Sequence, residues 1–223
     1  MEVPTTLITH YALAALTGYF AWRLAAAARG VADIAPRLWA AAFAAVSLCA
    51  AAGGTYTAFA AQLDAIVAQA LSRGTLCLAG AASFLFLCAV VHAFTAGRLR
   101  SALLMLATAK FAFLAMWIAG HDDLRYVVYD TLVTVIPVLA LSAWGGWSKR
   151  AAAPWVLAGI LALLVAALVQ QGRITLHPQF DHSNLFRLIQ MVAMYLLFRA
   201  GLEMRDQPSE ALAPIATRAQ GES

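Results

Sequence analysis

The chain has 223 residues, 63% of them apolar and only 12% charged, with a mean hydropathy of +0.77. That charged share is about half of an ordinary soluble domain's, which argues against a freely soluble enzyme, and the formal net charge of +4 reads as a topology signal rather than a nucleic-acid surface. Cys49, Cys77 and Cys88 lie inside apolar runs with no CxxC or Cys/His spacing, so neither a disulfide framework nor a thiolate zinc site is indicated.

A bilayer core of about 30 Å needs roughly 20 apolar residues of helix. Seven stretches meet that length. The first, 5–28, is too long for a signal h-region and follows Glu2 rather than a basic segment, so it is kept as a span. The second, 38–62, follows Pro36-Arg37, and the third, 74–96, follows Ser72-Arg73-Gly74. Gly97-Arg98 precedes the fourth at 101–120, and Gly120-His121-Asp122-Asp123 precedes the fifth at 125–146, which contains Pro137. Lys149-Arg150 and Pro154 introduce the sixth at 154–172; Gly172-Arg173 and Pro178 introduce the seventh at 184–203. The predicted fold is an all-α membrane protein, a seven-transmembrane helix bundle over 1–204 with a flexible cytoplasmic tail at 205–223.

Lys and Arg counts orient the bundle. With the N-terminus outside and the C-terminus inside, ten fall on the inner side: Arg23, Arg29, Arg37, Arg98, Arg100, Lys149, Arg150, Arg199, Arg205 and Arg218. Four, Arg73, Arg125, Arg173 and Arg187, fall outside, and Lys110 lies mid-span. Trp22, Trp39, Trp144, Trp147 and Trp155 sit near the inner ends, as an aromatic belt would.

Polar residues then gather in the outer leaflet. Gly53, Gly54, Thr55 and Thr57 end the second span, Asp130 lies about five residues below the outer rim of the fifth, and Asn184, Arg187 and Gln190 open the seventh. A buried acid is costly, roughly 2.5–3.5 kcal/mol on insertion scales, and calls for a partner. Arg187, able to grip a carboxylate with two parallel hydrogen bonds, is the expected partner of Asp130, and Lys110 is placed deeper. His177 and His182 flank this layer in LHPQFDHSNLFRLIQ, where Asp181 or Ser183 can cap the seventh helix. A simple tether between helices is the alternative reading of Asp130. Gly53-Gly54 also reads as close helix packing. His10 and His92, which fall near opposite ends of their spans, give a haem-binding electron carrier as a more remote possibility.

The stretch HPQFDHSNLFRLIQMVAMYLLFR, from His177 to Arg199, resembles the last motif of an uncharacterised family of bacterial seven-span proteins, H-x-F-N-H-N-D-L-Y-H-x-I-Q-M-V-A-x-Y-L-L-Y-R. GGTYT at 53–57 resembles that family's G-G-T-x-H, and VVYDT its Asp-containing motif. The pattern is in turn similar to the CREST superfamily, which includes alkaline ceramidases, and implies a multi-pass protein of the bacterial inner membrane. It also implies a zinc held by histidines of spans two and seven, beside an Asp, hydrolysing a lipid amide. This chain departs from the pattern at three positions: Thr57 stands for the span-two His, Asn184 for an Asp and Arg187 for the last His. Arginine keeps its proton and cannot ligate zinc.

The reading that follows is a metal-free, outward-facing pocket of Asp130, Arg187, His182, His177, Gln190, Thr55, Thr57 and Asn184 that binds a membrane lipid or small amphiphile. The alternative is a zinc-dependent lipid amidase with His177, His182 and Asp130 as ligands. No nucleic-acid partner is expected.

Overall fold

A computed structural model describes residues 3–121, 124–147, 150–173 and 182–205. The described residues form seven α-helices: α1 (Val3–Ala27), α2 (Ala35–Phe59), α3 (Ala65–Phe94), α4 (Gly97–Gly120), α5 (Leu124–Trp147), α6 (Ala153–Gln171) and α7 (His182–Arg205), with a single 3₁₀ turn at Ala60–Gln62. Six of them, α2 to α7, are long and apolar enough to cross a membrane, the make-up of a multi-pass membrane protein. The remaining helix, α1, has the length at 25 residues but carries Thr9, His10, Thr17 and Arg23 among its apolar positions. The expected tail from 206 onward and the loop residues 174–181 lie outside the described residues.

The predicted spans coincide with these helices except at the start of α3. The break expected at Ser72-Arg73-Gly74 lies inside that helix, which begins at Ala65. The chain turns earlier, where Leu63 and Asp64 are extended and the Asp64 carbonyl accepts the Ala68 amide at 2.9 Å. Without a proline, one internal glycine costs only about 1 kcal/mol and does not end a helix. The 30-residue α3 is therefore about 45 Å long, well beyond the hydrocarbon thickness, and Ile66 and Val67 are exposed on its first turn.

Neighbouring contacts run α1–α2–α3–α5–α6–α7 and back to α1, closing a ring. Helix α4 stands outside it, packed on α3 and touching α5 far less. Aromatic side chains fill the ring: Phe20 stacks on Phe198 at 4.3 Å and meets Phe43 edge-on, and Phe86 sits edge-on to both Phe43 and Trp39. Trp39 is a correction to the expected aromatic belt. It is fully buried, donating its indole N–H to the Leu197 carbonyl at 2.8 Å, because Gly201 leaves room for its ring; a Cβ there would lie 2.4 Å from Trp39 Cδ1. Trp22, Trp144 and Trp147 are exposed, and Trp155 is half-buried.

At the end of the bundle where α3 finishes, Arg100 on α4 donates to the carbonyls of Thr95 (2.8 Å) and His92 (3.1 Å), covering acceptors that the last turn of α3 leaves open. His10 and His92 lie toward opposite ends of the bundle, since α1 starts where α3 starts and His92 is in the last turn of α3. They do not form an axial haem pair.

Candidate functional site

The polar residues divide into two clusters on different sides of the ring. The first joins α3, α4 and α5. Asp130 is 7% exposed, and its carboxylate pairs with the ammonium of Lys110 and accepts the Ser83 hydroxyl at 3.0 Å. Lys110 also donates to Thr134 Oγ1 at 2.9 Å and to the Asp130 carbonyl at 3.5 Å, and Thr134 lies 2.7 Å from Ser83. An ammonium has three donors, and here each has an acceptor. The expected Asp130–Arg187 pair is thus corrected to Asp130–Lys110. Counting helical depth from each Cα set Lys110 too deep. Its flexible four-carbon stem carries the charge along the helix to the carboxylate.

The second cluster joins α1, α2 and α7. Arg187 donates to His10 Nε2 at 2.6 Å and to the Ser183 carbonyl at 3.2 Å, and Thr9 donates to the buried Asn184 side chain at 3.2 Å. Arginine only donates, so His10 accepts through Nε2 and holds its proton on Nδ1. That Nδ1–H is buried and has no hydrogen-bond partner among the described residues. His10 packs against Gly54, where a Cβ would come within 2.7 Å of the His10 Cβ, so the glycine pair does serve close helix approach. Thr55 bonds Tyr11 at 2.8 Å, again between α1 and α2.

The predicted pocket is therefore split. Asp130 belongs to the first cluster; Arg187 and Asn184 belong to the second, and Thr55 makes its own α1–α2 contact. Gln190 is half-buried on α7. Thr57 is exposed and bonds the Gly53 carbonyl of its own helix at 2.8 Å. His177 lies outside the described residues, as does the side chain of His182, the first residue of α7. His10 and Lys110 are the functional-type residues that the pocket reading left out. Depth alone could have placed His10 with Arg187, since both stand near the starts of helices that begin at the same end of the bundle.

Because α4 barely touches α5, a cleft of about 180 Å3 remains between them. The Lys110–Asp130 pair forms its deeper end, and Phe113, Trp117, Tyr126 and Tyr129 line it toward the helix ends. Trp117 lies 4.7 Å from Tyr126 and stacks on His121 at 4.4 Å. Phe113 and Tyr129 are more than half exposed at the rim, at 61% and 58%. The indole N–H of Trp117 is buried and without a partner among the described residues.

Of the three ligands of the zinc reading, His177 and the side chain of His182 lie outside the described residues; the third, Asp130, does not suit a metal ion here. The carboxylate that would ligate the metal already holds a cation, and an ammonium in contact with it would repel a second one. Among the described residues no three His, Cys, Asp or Glu side chains converge. A model of a family of unknown function, DUF6962, matches residues 5–206, nearly the whole chain, and the chain belongs to that family. No curated protein and no solved structure matches. The expectation of an uncharacterised family thus stands at that level, while the match carries no CREST or ceramidase designation.

Proposed function

We propose that this member of DUF6962 is a binding protein of the bacterial plasma membrane, a seven-span bundle with its N-terminus outside, which holds one end of a neutral-headed amphiphile between α4 and α5. The observation that carries the reading is the cleft itself: aromatic walls, a laterally exposed rim and a hydrogen-bonding end. At about 180 Å3 it is smaller than the roughly 300–1,000 Å3 of most small-molecule sites, so it suits a head group with the first part of a chain rather than a whole lipid.

The charge balance selects the head. Lys110 and Asp130 neutralise each other, and a charged head group would arrive without a counter-ion in a low-dielectric site. A hydroxyl or amide meets no such cost. It can donate to a carboxylate lone pair that Lys110 and Ser83 leave open, beside the buried indole N–H of Trp117, which has no partner among the described residues.

Photo-crosslinking tests this with three diazirine-bearing C12 probes, a fatty alcohol, a fatty acid and an alkyltrimethylammonium, on detergent-purified protein. The alcohol should label the peptides spanning 113–133 most strongly, and Val133→Trp, which fills the cleft from its 55% exposed rim position, should abolish that labelling. Labelling that ignores Val133→Trp, or that favours a charged probe, overturns the proposal.

A further inference from the structure

At the opposite end of the bundle, α1 and α2 diverge around a groove of about 600 Å3, over three times the volume of the α4–α5 cleft. Its floor is alanine, with Ala21, Ala28 and Ala40 buried. Its mouth carries Arg29, from the end of α1, and Arg37, from the first turn of α2; Trp22, 61% exposed, stands at its side. We infer that this groove is a binding site for an anionic phospholipid, one acyl chain lying along the alanine floor and the phosphate held between Arg29 and Arg37.

Three observations favour that occupant. The open groove has room for an acyl chain, and its floor offers no polar group that a hydrocarbon chain would leave unpaired. The two cations are available. The Arg29 guanidinium makes no hydrogen bond or ion pair among the described residues, and Arg37 uses one nitrogen, donating to the Val31 carbonyl at 3.0 Å. The acid of the same loop, Asp33, turns one oxygen to the Ala35 amide at 3.0 Å at the start of α2, and no ion pair joins it to either arginine among the described residues. Guanidinium groups match phosphate oxygens with paired donors, and basic pockets between helices at a membrane boundary are a recurrent form of headgroup recognition. A second copy of the chain fits less well: the same face on both copies would set Arg29 and Arg37 against identical charges.

The site is independent of the α4–α5 cleft, and its test separates them. Delipidated full-length protein in detergent is titrated with dioleoylphosphatidylglycerol or dioleoylphosphatidylcholine, and retained lipid adducts are read by native mass spectrometry. Wild type should retain the glycerol lipid preferentially, and Arg29→Gln/Arg37→Gln should cut that preference about tenfold or more. Arg98→Gln, which removes an exposed charge from the same end of the bundle, should leave it intact. Ala41→Trp, which fills the groove from an exposed position, should reduce retention of both lipids while circular dichroism stays unchanged. An undiminished preference in the double variant overturns the inference, as does an equal loss with Arg98→Gln or an Ala41→Trp protein that retains lipid normally.

Discussion

The two polar clusters differ in how completely they are satisfied. In the α3–α4–α5 cluster, both charges meet, all three ammonium donors have acceptors and two hydroxyls close the network. In the α1–α2–α7 cluster a guanidinium donates to a histidine ring whose other nitrogen, buried, finds no partner among the described residues. The first arrangement stabilises; the second leaves a buried donor unsatisfied. A buried ion pair that is fully hydrogen-bonded can be replaced as a unit with little loss, whereas removing one member strands a charge. An unpaired buried N–H instead has a standing cost of about 1–3 kcal/mol.

The sharpest break of this comparison is Lys110→Met. It isolates the Asp130 carboxylate, and stability should fall by about 3–5 kcal/mol. Lys110→Met/Asp130→Asn should recover at least half of that loss. Unfolding followed by tryptophan fluorescence in detergent measures both, and strictly additive losses would remove the pair from the account. Next in size is Arg187→Met, which strips His10 of its Nε2 contact and should cost about 1–3 kcal/mol by the same measurement. Gly54→Ala pushes a methyl against His10, so a loss of about 1–3 kcal/mol is expected; an unchanged midpoint would mean that α1 and α2 do not touch there. Thr57→His should be smallest, within about 0.5 kcal/mol, since the position is exposed. By isothermal titration the variant should bind zinc no better than wild type, although it restores the histidine of the resembling motif.

Hydrophobic run length showed the helices, because a span must be long and apolar whatever it packs against. It could not show the position of α4, which depends on how closely Gly80 lets Leu114 approach: a Cβ on that glycine would lie 2.5 Å from Leu114 Cδ2. Polar punctuation misled at Arg73-Gly74, where a helix runs on through residues that elsewhere end one. Asp130 was legible as a buried acid needing a cation, but the choice between Lys110 and Arg187 turned on side-chain reach and helix order, neither of which a one-dimensional depth scale contains. His10 meets Arg187 rather than His92. The paired glycines at 53 and 54 were its signal, since two small residues on one helix make space for something large on the next.

The outlying position of α4 also bears on how the chain enters a bilayer. Lys110 emerges from the ribosome 20 residues before the carboxylate that neutralises it, and alone at the centre of a helix it would oppose partitioning from the translocon by roughly 2.5–3.5 kcal/mol. The charge on α4 is therefore neutralised only once α5 has followed it.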